Sequence, residues 1–162
     1  MYLIFDTETT GLPRDYNAPI TDTSNWPRVV QLAWQLHEAD GTLVEQKDFL
    51  IRPDGFTIPF QSEQIHGIST ELAELAGEDL GDVLFLFKKA LEKADFIVGH
   101  NVRFDINVMG CEYVRLNEET PLVLPILDTC TERTAELCQL PGGRGGKFKL
   151  PTLTELHDFL FH

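Results

Sequence analysis

Three short apolar runs, each closed by polar side chains, constrain the fold of this chain more than any other feature. The runs cover residues 2–6, 94–99 and 125–129. Their length and their β-branched and aromatic content are typical of buried strands. A segment with helical spacing follows each of the last two runs, and strands that alternate with helices predict an α/β fold.

A β-hairpin is predicted between the first two of these runs. Residues 28–38 and 42–52 flank Ala39-Asp40-Gly41, and an Asp-Gly pair is typical of a hairpin turn. The remaining elements are predicted helices. Short helical turns are expected over 62–76, a firmer helix from Asp82 and another over about 103–116. A further helix, capped by Asp128 or Thr129, is expected to run to about Leu140, and a last one to begin at Pro151 and Thr152. The central sheet is therefore expected to be mixed and flanked by helices.

Length and composition predict a single domain over residues 1–162. A chain of this size with 43% hydrophobic residues buries one core of ordinary size. It has no run of eighteen apolar residues, and its start resembles no export signal, so we expect a soluble cytoplasmic protein with no membrane partner. Its 3 cysteines include no closely spaced pair, which indicates reduced thiols.

The charge of the chain excludes one way of binding nucleic acid. A formal net charge of −13 argues against a broad basic surface. One stretch departs from this background: residues 141–151 contain Arg144, Lys147 and Lys149, four glycines and no acid. These glycines predict a mobile loop, and a flap that contacts a nucleic-acid backbone is the second interpretation.

Two acids follow the first apolar run and are separated by one residue. On an extended backbone, Asp6 and Glu8 point to the same face, where their charges repel. A proton on one carboxylate relieves that repulsion, and so does a hard cation such as Mg²⁺ or Mn²⁺. Such pairs are common at the ends of surface strands, so this pair alone does not indicate a function.

Longer strings give the pair a specific meaning. The string Phe5-Asp6-Thr7-Glu8-Thr9-Thr10-Gly11-Leu12 resembles the first motif of the DnaQ-like (DEDD) 3′→5′ exonucleases, and Gly99-His100-Asn101-Val102-Arg103-Phe104-Asp105 resembles their second. Ile65-His66-Gly67-Ile68 is similar to the family's loop over the terminal nucleotide, and Asp128-Thr129 to its fourth strand end. The family includes the proofreading epsilon subunit of bacterial DNA polymerase III. The resemblance implies a ribonuclease H-like fold.

The resemblance also implies roles for the acids. Asp6 and Glu8 are expected to be direct metal ligands and catalytic residues, with Asp6 bridging two Mg²⁺ or Mn²⁺ ions in the complete enzyme. Asp105 is expected to be the third acid and to serve the second ion. Without the resemblance, Asp105 reads as a helix-surface acid, and Asp128 reads best as a helix N-cap.

Further positions are implied to contact or support the substrate. The set comprises Thr9, Gly11, Leu12, His66, Asn101 and Phe104. The first three would face the 3′-terminal nucleotide, and His66 would approach its sugar or base. Asn101 and Phe104 would support the helix that carries Asp105. A loop histidine that caps a turn is the structural alternative for His66.

The third motif of the histidine-type (DEDDh) members is missing from the chain. That motif is a His followed five residues later by an Asp, and neither His157 nor His162 has such a partner. The general base, the fourth acid and the C-terminal helix that carries them are therefore expected to be absent. A shortened product is the favoured explanation; a natural member that binds without cleaving and a helix supplied by another chain are the alternatives. The missing helix is expected to leave sheet surface uncovered, which favours self-association.

The leading functional expectation is a metal-dependent exonuclease. The complete protein would hydrolyse 3′-terminal phosphodiesters of single-stranded DNA or RNA to nucleoside 5′-monophosphates, with DNA polymerase subunits as candidate partners. The alternative is a catalytically incomplete nucleic-acid-binding or polymerase-associated module. A structural Ca²⁺ or Mg²⁺ site is a third, weaker interpretation, because the chain has no EF-hand-type run of acids.

Overall fold

The computed structural model describes all of residues 1–162 and is organised around a mixed sheet of five strands. The strands are β1 (Tyr2–Thr9), β2 (Val29–His37), β3 (Leu43–Leu50), β4 (Phe96–Gly99) and β5 (Ile126–Asp128), in the spatial order β3-β2-β1-β4-β5. β2 runs antiparallel to β1 and β3, whereas β4 runs parallel to β1 and β5. The predicted α/β class, with an antiparallel hairpin and parallel strands, is confirmed.

Six α-helices flank this sheet. They are α1 (Phe60–His66), α2 (Thr70–Ala76), α3 (Leu80–Leu91), α4 (Arg103–Arg115), α5 (Glu132–Cys138) and α6 (Leu153–Phe161). Apolar side chains of α3 and α4 form the main core with those of β1, β2 and β4. Phe87 of α3 lies in its centre, with its ring 5.1 Å from Phe5 and 5.4 Å from Trp34. This packing fixes which face of β1, β2 and β4 is buried.

The alternation of β1 separates the core from the other face. Leu3, Phe5 and Thr7 are buried, whereas Ile4 and Asp6 are exposed. The face that carries Ile4 and Asp6 borders a groove of about 480 Å³, which Val98 and Leu153 also line. The sequence predicted uncovered sheet surface, and the structure shows it on this face. Self-association through it stays a prediction.

Local capping decides where the helices begin. The Asp79 carboxylate accepts a hydrogen bond from the Asp82 backbone N–H, so α3 begins before the predicted position. The prediction that Asp128 or Thr129 caps α5 is wrong, because Thr131 holds that place in a capping box with Thr134. The predicted start of α6 is confirmed, since Thr152 caps it together with Glu155.

The glycine-rich segment takes a defined shape. It contains a short 3₁₀ turn, Arg144–Gly146, with positive φ at Gly145 and Gly146 that glycine adopts without strain. Lys147 pairs with Glu132 of α5, and Lys149 pairs with Glu155 of α6. Two of the three predicted cations are therefore bonded to acids of the neighbouring helices.

No helix in the chain has the length and apolar character needed to cross a membrane.

Candidate active site

The parallel strands bring the two sequence motifs to one edge of the sheet. β1 pairs in parallel with β4, and β4 pairs in parallel with β5, so their carboxyl ends point the same way. Asp6 and Glu8 lie near the end of β1, and Gly99, which ends β4, pairs with Asp128 of β5. The carboxyl ends of parallel strands are the usual place for a ligand site in an α/β fold.

Asp6 and Glu8 share the face of β1 that is turned away from the core. They pair with Ala33 and Gln31 of β2, and a register shift follows Glu8. Loss of hydration raises the pKa of Asp6, and an N–H of Thr7 and the His100 side chain oppose this. Loss of hydration also raises the pKa of Glu8, and the Asp6 charge adds to it. The predicted repulsion between the two acids is therefore present.

Asp105 approaches the same strand from the helix layer. It lies in the first turn of α4 and is only 4% exposed. Its Oδ1 accepts hydrogen bonds from the Thr7 hydroxyl, at 2.6 Å, and from the Thr7 backbone N–H, at 3.1 Å. Both bonds reach the same oxygen, so Oδ2 is the atom of Asp105 that remains available to an ion or a water molecule.

Burial and charge give Asp105 an unusual titration. Burial raises its pKa to about 7, the Thr7 hydroxyl opposes the rise, and the nearby Asp6 charge adds to it. Asp6 therefore acts electrostatically on both Glu8 and Asp105. A hard divalent cation would relieve this cost, because carboxylate oxygens are the ligands that Mg²⁺ and Mn²⁺ prefer. The donor set fits such an ion.

His66 lies at the end of α1 with one ring nitrogen unused. Its Nδ1 accepts a hydrogen bond from the Ile68 backbone N–H at 3.1 Å, so in the neutral ring the hydrogen resides on Nε2. That Nε2 is buried and has no hydrogen-bond partner. His66 also lowers the pKa of Glu8 through its charge.

The turn after β1 is held by its own polar groups. The Thr9 hydroxyl donates to the Gly11 carbonyl at 2.7 Å, so this predicted substrate contact is engaged within the turn. Gly11 has a φ of +148°, a conformation that side chains rarely adopt. Leu12 projects into solvent with 73% exposure. Of these three residues, Leu12 is the most exposed.

Buried ion pairs fasten this turn to the rest of the fold. The Thr10 N–H donates to the Arg28 carbonyl, and the Arg28 N–H donates to the Thr10 hydroxyl. The Arg28 side chain reaches Glu112 of α4 at 3.0 Å, and so does Arg115. Glu112 is completely buried. The motifs gave no indication of this network. The sequence signal for it was Glu112, an acid that lies among the apolar residues of a helix.

Asp128 has a role that sequence reasoning missed. Its carboxylate accepts hydrogen bonds from the backbone N–H groups of Asn101, Val102 and Cys130. Asn101 has a φ of +61° and Val102 precedes the first residue of α4, so Asp128 stabilises the turn that leads into that helix. Asn101 supports α4 through its backbone. Phe104 packs partly against the core, with the Tyr16 ring 6.5 Å away.

His100 connects the second motif to the last helix. Its Nε2 lies 3.0 Å from the Pro151 carbonyl, and because a carbonyl only accepts, Nε2 is the donor. Its Nδ1 lies 2.9 Å from the Thr129 hydroxyl. The segment before α6 is therefore attached to the sheet edge that carries the acids.

Similarity to known proteins decides the family. The family model described as exonuclease (RNase_T) matches residues 3–157, nearly the whole chain. The chain belongs to the DnaQ-like 3′→5′ exonuclease family. Its expected membership is thus confirmed, and so is the ribonuclease H-like fold.

Relatives with this exonuclease domain include much longer polymerases. The PolC-type DNA polymerase III of Pediococcus pentosaceus is 33% identical over 130 residues, which are 80% of this chain and 8% of that protein. The PolC-type DNA polymerase III of Latilactobacillus sakei is 31% identical over 128 residues, 79% of this chain and 8% of that protein. The exonuclease chain thus spans a small part of these relatives.

Solved structures show the same fold at lower identity. E. coli exonuclease I in complex with a dA16 oligonucleotide aligns with a TM-score of 0.73 at 20% identity, over 97% of this chain and 35% of that one. The complex with dT13 aligns with a TM-score of 0.68 at 22% identity, over 88% and 30%. At these identities the likeness establishes the fold.

Proposed function

We propose that the protein containing this chain hydrolyses 3′-terminal phosphodiesters of single-stranded nucleic acid with the help of divalent metal ions. One observation carries the proposal: Asp105 of α4 is hydrogen-bonded to Thr7, the residue between Asp6 and Glu8 on β1, near the edge where the parallel strands end. Membership of the exonuclease family supports it. The released products would be nucleoside 5′-monophosphates.

The three acids would hold the ions. Two ions such as Mg²⁺ or Mn²⁺ supply a nucleophilic water and stabilise the leaving oxygen when bound. Asp6 and Glu8 present carboxylates on one face of β1, and Asp6 is the acid whose charge reaches both others. Thr7 fixes the orientation of Asp105, so that Oδ2 is the oxygen offered to the site.

The residues around the acids would receive the end of the strand. His66 offers an Nε2–H donor without a partner, which a sugar oxygen or a base acceptor of the terminal nucleotide would satisfy. Leu12 offers an exposed apolar side chain on which a base can pack. Gly11 lets the backbone approach the substrate because it has no side chain. These contacts recognise a free end without reading its sequence.

The relatives favour DNA as the substrate and a polymerase as the context. E. coli exonuclease I has been solved with DNA oligonucleotides, and the curated relatives are DNA polymerases. We therefore propose single-stranded DNA as the preferred strand, with RNA as the alternative, and DNA polymerase polypeptides as the associated partners.

A second candidate function rests on what the 162 residues do not contain. Neither His157 nor His162, the two histidines of the C-terminal segment, is followed five residues later by an Asp, so the third motif is absent from these 162 residues. A chain with three acids and no general base would bind a 3′ end without turnover. The alternative is therefore a nucleic-acid-binding or polymerase-associated module.

Metal binding tests the proposed site directly. Titration calorimetry with Mn²⁺ on this chain should detect binding that Asp6→Ala abolishes. Asp54→Ala is the matched control, because Asp54 is exposed and its carboxylate makes no hydrogen bond in the structure. Equal Mn²⁺ affinity of wild type and Asp6→Ala would exclude the site.

Activity separates the two candidate functions. A longer form that includes a third motif should shorten 5′-labelled single strands of DNA one nucleotide at a time, and Asp6→Ala should stop it. If that longer form binds the strands and holds Mn²⁺ but releases no mononucleotide, the binding module is the correct function. Parallel assays on RNA decide the preferred strand.

A further inference from the structure

The last turn of α6 carries three metal-ligating side chains close together. His157, Asp158 and His162 place one ligand atom each so that all three atoms lie within 4.8 Å of one another. No other group of three His, Cys, Asp or Glu side chains in the chain meets this spacing. The acids of the exonuclease site are therefore more widely spread than this cluster.

The distances within the cluster suit a shared ion better than direct hydrogen bonds. Asp158 Oδ1 lies 3.7 Å from His157 Nδ1 and 3.9 Å from His162 Nδ1. Both separations exceed the usual hydrogen-bond length of about 3.2 Å. Two ligands bound at about 2.1 Å to one tetrahedral ion lie about 3.4 Å apart. Small side-chain rotations would therefore bring the three atoms onto one ion.

Helix geometry accounts for the arrangement. Asp158 and His162 are four residues apart, a spacing that places side chains one above the other on a helix. The ring of His157 lies 5.5 Å from that of His162, so the two imidazoles share one side of the turn. The carboxyl end of a helix also carries a partial negative charge, which favours a cation there.

We propose that His157, Asp158 and His162 form a binding site for one transition-metal ion of the Zn²⁺ class, separate from the exonuclease site. Three protein ligands leave one coordination position, which water fills in an exposed site. The imidazoles set the preference, because they bind Zn²⁺, Co²⁺ and Ni²⁺ better than Mg²⁺ or Mn²⁺. The carboxylates of Asp6, Glu8 and Asp105 have the opposite preference.

Accessibility makes the site easy to load and to test. The three side chains are between 58% and 68% exposed, so an ion reaches them without opening the core. For the same reason, their replacement should leave the fold intact. A bound ion would fasten His162 to the preceding turn and hold the end of α6.

Co²⁺ reports on such a site because its visible absorption depends on coordination. Wild-type chain titrated with Co²⁺ should gain a visible band with one equivalent, and Zn²⁺ should displace it. His157→Ala/His162→Ala should lower the Co²⁺ and Zn²⁺ affinity by more than about 100-fold, since both nitrogen ligands are lost. Asp158→Asn should weaken the site to a smaller degree.

Two controls make the outcome unambiguous. His37→Ala removes a histidine of β2 that bonds to Gly41 and Gln35 outside the cluster, and it should keep wild-type Co²⁺ binding. Asp6→Ala should also keep it, which separates this site from the exonuclease site. Unchanged Co²⁺ and Zn²⁺ affinity in the folded double variant, checked by circular dichroism, would overturn the proposal. Loss of the band in Asp6→Ala would also overturn it.

Discussion

Thr7 donates two hydrogen bonds to one carboxylate oxygen of Asp105, from its hydroxyl at 2.6 Å and from its backbone N–H at 3.1 Å. Thr7 lies between Asp6 and Glu8 in the chain and faces the opposite side of β1. The strand that presents two acids thus also positions the third. A substitution on either face of β1 should therefore affect the site formed by Asp6, Glu8 and Asp105.

Asp105 should make stability depend on pH when divalent metal is absent. Its pKa is raised to about 7 in the folded chain, whereas an unfolded Asp titrates near about 3.9. Between these values the folded state holds the extra proton. Stability should therefore fall as pH rises from about 4 to about 7, by up to about 4 kcal/mol, and stay level above that.

Urea unfolding in EDTA at about pH 5 and pH 8 measures this effect. Asp105→Asn keeps an oxygen for Thr7 but carries no charge, so it should lose most of the pH dependence. The raised pKa values of Asp6 and Glu8 leave a smaller dependence of the same sign. An undiminished drop in Asp105→Asn would show that the source lies elsewhere, and Asp54→Asn should behave like wild type.

Thr7→Val should destabilise the chain by about 1.5–3 kcal/mol above pH 7, because a hydrogen bond to a buried charged group is lost. The pKa of Asp105 should rise further, since the Thr7 hydroxyl opposes the effect of burial. Titration of the Asp105 carboxyl by NMR measures the shift, and urea unfolding measures the loss. Thr57→Val is the control, because Thr57 is exposed and its hydroxyl makes no hydrogen bond in the structure.

His66 should affect strand binding more than metal binding. His66→Ala should weaken the binding of a short single-stranded DNA, measured by fluorescence anisotropy, because the ring contributes a single hydrogen-bond donor of about 1 kcal/mol to the substrate. The same variant should leave the Mn²⁺ affinity within about twofold. His66→Asn keeps an acceptor in place of Nδ1 for Ile68 but has no group in place of Nε2. If His66→Asn binds the DNA strand as tightly as wild type, the contribution of His66 to strand binding comes from the turn that it stabilises and not from the Nε2 donor.

Glu112 should be among the most sensitive positions for stability. Glu112→Ala would leave Arg28 and Arg115 without their shared carboxylate, and breaking a buried pair costs about 3–5 kcal/mol. Glu92→Ala breaks the exposed pair with Lys89 and should cost less than about 1 kcal/mol. Urea unfolding compares the two, and similar losses would contradict the role assigned to Glu112.

The 162-residue chain should show little or no exonuclease turnover, even with excess Mn²⁺. Loss of a general base costs about 10²–10⁴ in rate, and the chain has no third motif to provide one. The assay compares this chain with a longer form at equal concentration, after circular dichroism has shown that both are folded. Equal rates would mean that His157 or His162 serves as the base.

The sequence by itself determined the secondary-structure order and the family. The apolar runs before Asp6, His100 and Asp128 predicted β1, β4 and β5, and the Asp-Gly pair predicted the hairpin, because these signals are local. The motifs around Asp6, Glu8 and Asp105 also lie in continuous strings. Each of these features depends on residues that are neighbours in the chain.

Only the tertiary structure decided how the side chains are partnered. The bonds of Asp105 to Thr7, of Asp128 to the N–H groups before α4 and of Glu112 to Arg28 join residues that are 26 to 98 positions apart. Periodicity carries no information on such pairs. The burial that raises the pKa of Asp105 is likewise a product of tertiary structure. The carboxylate loses its hydration only when α4 packs against β1, and this desolvation raises its pKa.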